Sequence, residues 1–229
     1  MNVFFITGID TGCGKTYSTG LMARYLKETG INVITQKLIQ TGCSGISEDI
    51  AEHRRLMRCG LFEEDINQIT CPYVFPYASS PHLAAKLHGT KIDTNVLSNA
   101  TQQLTQKFDI VLLEGVGGLH VPIDDDFLII DYIKMQNYPV ILVSSSKLGS
   151  INHTLMSIES CSFHHINLFA VVYNRLPESD NVIADNTLHE IKKKLSNTYP
   201  NSILVKTGTE ENTEKDFSPL FQEIFKYKL

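Results

Sequence analysis

Residues 2–16 read NVFFITGIDTGCGKT, an unbroken apolar run that passes through a glycine-rich turn into a segment able to open a helix. A nearly continuous apolar run, rather than an alternating one, belongs to a strand covered on both faces, which restricts the chain to a sheet enclosed between helices. Five further runs share the pattern, at 32–37, 109–114, 139–144, 167–173 and 202–207. Helices are expected between them, over 16–29 with Gly30 as C-terminal cap, and over 49–58, 95–107, 152–161 and 185–195. Strands alternating with helices predict a doubly wound α/β fold with a mainly parallel sheet flanked by helices. With no linker-like break, residues 1–229 are expected to form one domain. The stretch TCPYVFPYASSPHLAA, 70–85, contains Pro72, Pro76 and Pro81 and reads as a long loop leading into a helix at Pro81.

A phosphate oxygen needs several N–H donors and a positive field. A strand that turns into a helix through glycines supplies both, because the first N–H groups of a helix are unpaired. In GIDTGCGKT, Gly12 and Gly14 would let the backbone curl toward an anion, Lys15 would reach the β- and γ-phosphates, and the Thr16 hydroxyl would ligate Mg2+. The usual spacing is G-x-x-x-x-G-K-[ST]; here Gly8 stands one residue early. Mg2+ also takes one or two carboxylates. Glu114 closes the run DIVLLE, and ligands of such folds bind beyond the carboxyl ends of the strands. Gly115, Gly117 and Gly118 follow at once and would let a second backbone segment approach the phosphates. Asp49, heading DIAEHRRLM, is either a second carboxylate for the metal or a helix N-cap. Lys37 closes the second run and is either a cation aimed at a transferring phosphoryl group or a solvated lysine at a strand end.

Composition narrows the class. The formal net charge is −5 with both signs interspersed, which argues against a non-specific nucleic-acid binder. The five cysteines are odd in number and form no CxxC pair, so reduced thiols in a reducing compartment are expected. The N-terminus lacks a signal-like pattern and no apolar run is long enough to cross a bilayer, which together predict a cytoplasmic protein with no membrane partner. His164-His165 lacks a partner at zinc-ligand spacing, Asp124-Asp125-Asp126 reads as a solvated turn, and Lys192-Lys193-Lys194 as the wet face of a helix.

Taken together these residues resemble the dethiobiotin synthetase family. GIDTGCGKT is similar to that family's nucleotide loop, its extra residue included. Lys37, Thr41-Gly42, Asp49, Pro72-Tyr73, Ser80-Pro81-His82, Glu114 to Gly118, Lys147 to His153 and Asn174 fall in the family's order and spacing. The resemblance implies a P-loop NTPase-like fold and an ATP-dependent ring closure with Mg2+ as cofactor. In that reaction 7,8-diaminononanoate captures CO2 as a carbamate, ATP phosphorylates the carbamate, and the second amine displaces phosphate to leave dethiobiotin. Catalytic roles are thereby implied for Lys15, Lys37 and Thr11. Implied ATP contacts are Gly12, Cys13, Gly14, Lys15, Thr16, Tyr17, Asp49, Glu114, Gly115, Val116, Gly117, Asn174 at the adenine edge, and Arg175. Implied substrate contacts are Thr11, Thr41, Gly117 and, across a homodimer interface, Gly149, Ser150, Ile151 and Asn152. Thr16, Asp49 and Glu114 are the implied metal residues. The chain departs from the family's pattern at Ile9, where Thr is common, at Gly12, where an acid is common, and at Leu38, where Pro is common. It departs again in GTEENTEKD, where the family carries a short Gly/Pro-containing segment against the base. The alternative is a partitioning-type switch ATPase, but the second lysine those proteins carry early in the loop is Asp10 here.

Overall fold

A computed structural model describes residues 2–176 and 180–226, without the side chains of residues 212, 214 and 223–226. β1 (Val3–Gly8) passes through the glycine loop into α1 (Lys15–Glu28), followed by β2 (Val33–Lys37), β3 (Gln40–Thr41), α2 (Glu48–Leu56), α3 (Glu63–Ile66), β4 (Val74–Phe75), α4 (Pro81–Leu87) and α5 (Thr94–Lys107). Then come β5 (Ile110–Gly118), β6 (Pro122–Asp124), β7 (Phe127–Leu128), α6 (Ile129–Gln136), β8 (Val140–Ser145), α7 (Ser150–Phe163), β9 (Leu168–Asn174), α8 (Asn181–Thr198), β10 (Ile203–Thr207) and α9 (Thr213–Lys226).

All six predicted runs are strands of one parallel sheet in the order β10-β9-β8-β1-β5-β2. β5 and β2 lie on one side of β1, and β8, β9 and β10 on the other. The winding reverses at β1, which opens a crevice beyond its carboxyl end. Successive side chains of a strand serve opposite faces. Val3 and Phe5 join the core that includes Leu97, Leu104, Ile133, Ile158 and Ile191 from α5 to α8. Phe4 and Ile6 join the core formed with Leu21 and Leu26 of α1 and Phe217 and Phe221 of α9. Burial on both faces is why these runs are nearly continuous in apolar residues. Among the described residues no helix is long and apolar enough to cross a membrane.

Local signals hold at the helix ends. Gly30 adopts φ 85°, and its N–H and that of Ile31 bond back to the carbonyls of Lys27 and Leu26, both at 3.0 Å, closing α1 in a Schellman motif. Pro81 opens α4 as expected. α7 starts at Ser150, ahead of the expected Asn152, and α8 starts at Asn181, ahead of Asp185. Asp180 sets that earlier start by accepting from the N–H groups of Val182 and Ile183. The reading of the stretch before Pro81 as loop throughout is corrected: Val74 and Phe75 pair in parallel with Gln40 and Thr41. A two-residue ladder is too short to leave a periodic signature, and the prolines around it are the stronger local signal. Asp124 to Asp126 form the expected turn, between β6 and β7, with Asp124 Oδ1 accepting from the Asp125 N–H at 2.9 Å.

Candidate active site

The glycine loop sits at the carboxyl end of β1 and runs into α1 through Gly14, whose φ is 97°. A Cβ there would overlap the Asn174 side-chain amide, so the position requires glycine for both conformation and space. Asn174, at the end of β9, donates from Nδ2 to the carbonyls of Cys13 and Leu176, each at 3.1 Å, and accepts from the Leu176 N–H at 3.0 Å. It therefore braces the loop. Lys15 is buried and its ammonium donates to the Asp10 carbonyl at 2.9 Å. β5 faces the loop from the other side. Between the pairs Ile6–Glu114 and Gly8–Gly118, β1 advances two residues while β5 advances four, so Gly115 to Gly117 bulge from the ladder.

A charged cluster lies where β2, β5, α1 and α2 meet. Ser47 caps α2, its Oγ accepting from the Ile50 N–H at 3.3 Å and donating to Gln40 Oε1 at 2.6 Å. Asp49 is thus in the first turn of α2 and not its cap. The Thr16 hydroxyl lies 3.1 Å from Asp49 Oδ1 and 3.0 Å from Glu114 Oε1. The Lys37 ammonium pairs with Asp49 Oδ2 and lies 2.8 Å from Glu114 Oε1 and 3.1 Å from the Gly115 carbonyl. His53 Nε2 lies 2.8 Å from Glu114 Oε2. Lys37 is buried, which removes the reading of a solvated strand-end lysine.

Burial opposes the charge on Glu114, but Lys37 and the His53 hydrogen bond outweigh it and hold the carboxyl well below the usual range. Burial also opposes the Lys37 ammonium, and Glu114 with Asp49 outweighs it, holding Lys37 above the usual lysine value. Two carboxylates therefore hold a cation, the ammonium of Lys37, and the Thr16 hydroxyl meets both carboxylates. That hard-oxygen set fits Mg2+, which takes one or two carboxylates and fills its remaining positions with phosphate oxygens and water. Among the described residues no group of three or more His, Cys, Asp or Glu could hold a metal ion by itself.

The cluster and the loop line one cavity of about 820 Å3, within the size range of small-molecule sites. It brings together Thr11, Gly12, Gly14, Lys15, Thr16, Tyr17, Lys37, Thr41, Asp49, Glu114, Val116 and Gly117. Four expected nucleotide residues are not in its lining. Cys13 is buried, Gly115 gives its carbonyl to Lys37, Asn174 supports the loop, and the Arg175 guanidinium donates to Asn181 Oδ1 at 2.8 Å. Gly149, Ser150, Ile151 and Asn152 are also outside the lining, at the start of α7. Lys147, just before them, donates to the Gly12 carbonyl at 3.2 Å. Sequence reading missed Ile39, Gln40, Glu52, Ala78, Ser79 and Val121 in the lining, and His53 behind it. Glu52 and His53 carry a local signal, since they stand three and four residues after Asp49 in α2 and so share its helix face. The divergent C-terminal stretch docks on α1 and α2: Tyr17 donates to the Gly208 carbonyl at 3.0 Å, and Arg55 pairs with Glu210 at 3.0 Å.

The chain is similar to known proteins both in sequence and in fold. Residues 2–203 match the family described as an AAA domain. The chain is 50% identical over 201 residues to the ATP-dependent dethiobiotin synthetase BioD 2 of Pasteurella multocida, covering 88% of this chain and 94% of that one. It is 52% identical over 193 residues to the ATP-dependent dethiobiotin synthetase BioD of Chlorobaculum tepidum, covering 84% and 81% of the two chains. Among solved structures, a ParA family ATPase from Chlorobium tepidum superposes with a TM-score of 0.53 at 15% identity, covering 97% of this chain and 92% of that one. At that identity the likeness is one of fold alone.

Proposed function

Because the chain belongs to the ATP-dependent dethiobiotin synthetase family, we infer that its cavity closes the ring of dethiobiotin from 7,8-diaminononanoate and CO2 at the expense of ATP. One amine attacks CO2, forming an N–C bond and losing a proton to give a carbamate. A carbamate oxygen attacks the γ-phosphorus as the bond from phosphorus to ADP breaks. The second amine attacks the carbonyl carbon, the C–O bond to phosphate breaks, and loss of a second proton leaves the cyclic urea.

The observation that carries this reading is the Lys37–Asp49–Glu114–Thr16 cluster facing the glycine loop across one cavity. Transfer between two anions is limited by charge and alignment, which buried and pre-oriented cations relieve. Lys15 and Lys37 would flank the transferred phosphoryl group. Thr16, Asp49 and Glu114 would hold Mg2+, which when bound neutralises phosphate charge. Thr11 and Thr41 would orient the diamine or its carbamate, and the bulge at Gly115 to Gly117 would admit close backbone contact. Gly149 to Asn152 would serve the cavity of a second subunit, with the N–H groups in the first turn of α7 beyond Ser150, whose own N–H bonds to the Lys147 carbonyl at 3.1 Å, receiving the substrate carboxylate. The exposed apolar side chains Leu148, Met156 and Phe163 support a homodimer through this region.

Mass spectrometry of mixtures of MgATP, bicarbonate and 7,8-diaminononanoate, each omitted in turn, tests the reaction. Dethiobiotin should form only in the complete mixture. ATP hydrolysis without that product, from folded protein, would overturn the assignment. Repeating the assay with CTP and GTP reads the base preference of a chain whose C-terminal segment departs from the family pattern.

A further inference from the structure

His53 has no part in the chemistry above, yet it is fully buried against a residue that does. Its Nε2 lies 2.8 Å from Glu114 Oε2. Its Nδ1 is buried without a hydrogen-bond partner among the described residues. The polarity of the ring therefore has one recipient, Glu114. A leucine or methionine would occupy such a site without desolvating two ring nitrogens, so packing does not account for a histidine here.

Glu114 divides its oxygens. Oε1 serves the Thr16 hydroxyl and the Lys37 ammonium, while Oε2 meets His53. The terminal torsion of a glutamate is broad, so the plane of a buried carboxylate is set by its partners. Fixing Oε2 from behind leaves Oε1 presented to the edge shared by Thr16, Lys37 and Asp49. α2 makes this possible, because Asp49 and His53 stand one turn apart on one face. The helix is anchored independently by Arg54, whose guanidinium forks onto both oxygens of Asp65, each at 2.8 Å.

The geometry points to His53 as a positioning residue that holds Glu114 by Oε2 so that Oε1 stays aimed at the cation-binding edge. Divalent-metal affinity then depends on His53, although His53 never touches the metal. This rests on the reading of Glu114 as a metal-holding carboxylate.

The test is Mn2+ binding in the presence of ADP, followed by electron paramagnetic resonance, which needs no turnover. The variants are H53L, H53N, H53Q and E114Q. Glutamine carries an amide nitrogen to about the place of Nε2 and can donate to Oε2, whereas asparagine reaches only to the place of Nδ1. H53L and H53N should weaken Mn2+ binding by about 10-fold or more, the usual loss for an outer-shell partner, and H53Q should stay within about threefold of the parent. His53 variants that bind as the parent does, or a glutamine no better than asparagine, would overturn the inference while a weakened E114Q leaves Glu114 in place. An E114Q protein with undiminished Mn2+ affinity would overturn the reading of Glu114 itself. If H53L does not fold, the glutamine and asparagine pair decides.

Discussion

Lys37 ends an apolar strand, where a charge would ordinarily reach solvent, and is instead enclosed by Asp49 and Glu114. Its removal leaves two carboxylates facing each other with no ammonium between them. Breaking such a pair costs on the order of 3–5 kcal/mol. Lys37→Ala should therefore lower Tm, and added Mg2+ should raise the Tm of the variant more than that of the parent; equal responses would speak against a shared cation site. In turnover the same variant should lose about 10²–10³-fold in kcat with ATP affinity largely kept, as for loss of one group that stabilises transition-state charge. Steady-state kinetics separates the two, and equal losses in both would contradict the role. Titration gives the acid limit. Glu114 ionises below its usual value, so its contribution to stability is complete above the unfolded value of about 4.3 and is lost as pH falls through the folded value. Lys37 is raised, so its contribution is complete below about 10.4 and is lost as pH rises through its folded value. Scanning Tm against pH should show a fall below about pH 4 that is shallower in Glu114→Gln.

Elements carry these residues to their places, and α1 shows how. Gly14 before it and Gly30 after it both hold positive φ, at 97° and 85°, but only Gly14 is crowded. Gly30→Ala should cost about 1–2 kcal/mol of stability, the left-handed penalty alone, and leave turnover unchanged. Gly14→Ala adds an overlap with Asn174 and displaces the loop, so ADP binding measured by calorimetry should be lost. If the two variants behave alike, the Asn174 brace is not what shapes the loop. α2 works in a parallel way, with Ser47 and Gln40 fixing its start and Arg54 fixing its flank, so that Asp49 is held against Thr16.

At the scale of the whole molecule, the start of α7 sits outside the cavity of its own chain, next to the most exposed large apolar residue of the region, Leu148 at 86% exposure. The shared two-subunit site proposed above would account for both. Leu148→Glu should shift sedimentation toward the monomer and raise KM for the diamine while leaving KM for ATP near its parent value. A monomer with full activity at high dilution would refute the shared site.

The architecture and the glycine loop are legible in the order of residues alone. Every central strand is covered on both faces, so each is written as an apolar run, and Lys37, Glu114 and Asn174 could be found because they close such runs. The glycine loop was legible because its donors come from one short stretch between a strand and a helix. What those residues meet follows from how the chain is wound. Thr16 and Glu114 are 98 positions apart and Lys37 and Glu114 are 77 apart, and their contacts exist because the winding sets β5 between β1 and β2. The β3–β4 ladder that carries Ser79 to the cavity, and the buried imidazole of His53 behind Glu114, depend on the same winding. Local periodicity records which face of an element is buried; it does not record which partner, far away in the chain, does the burying.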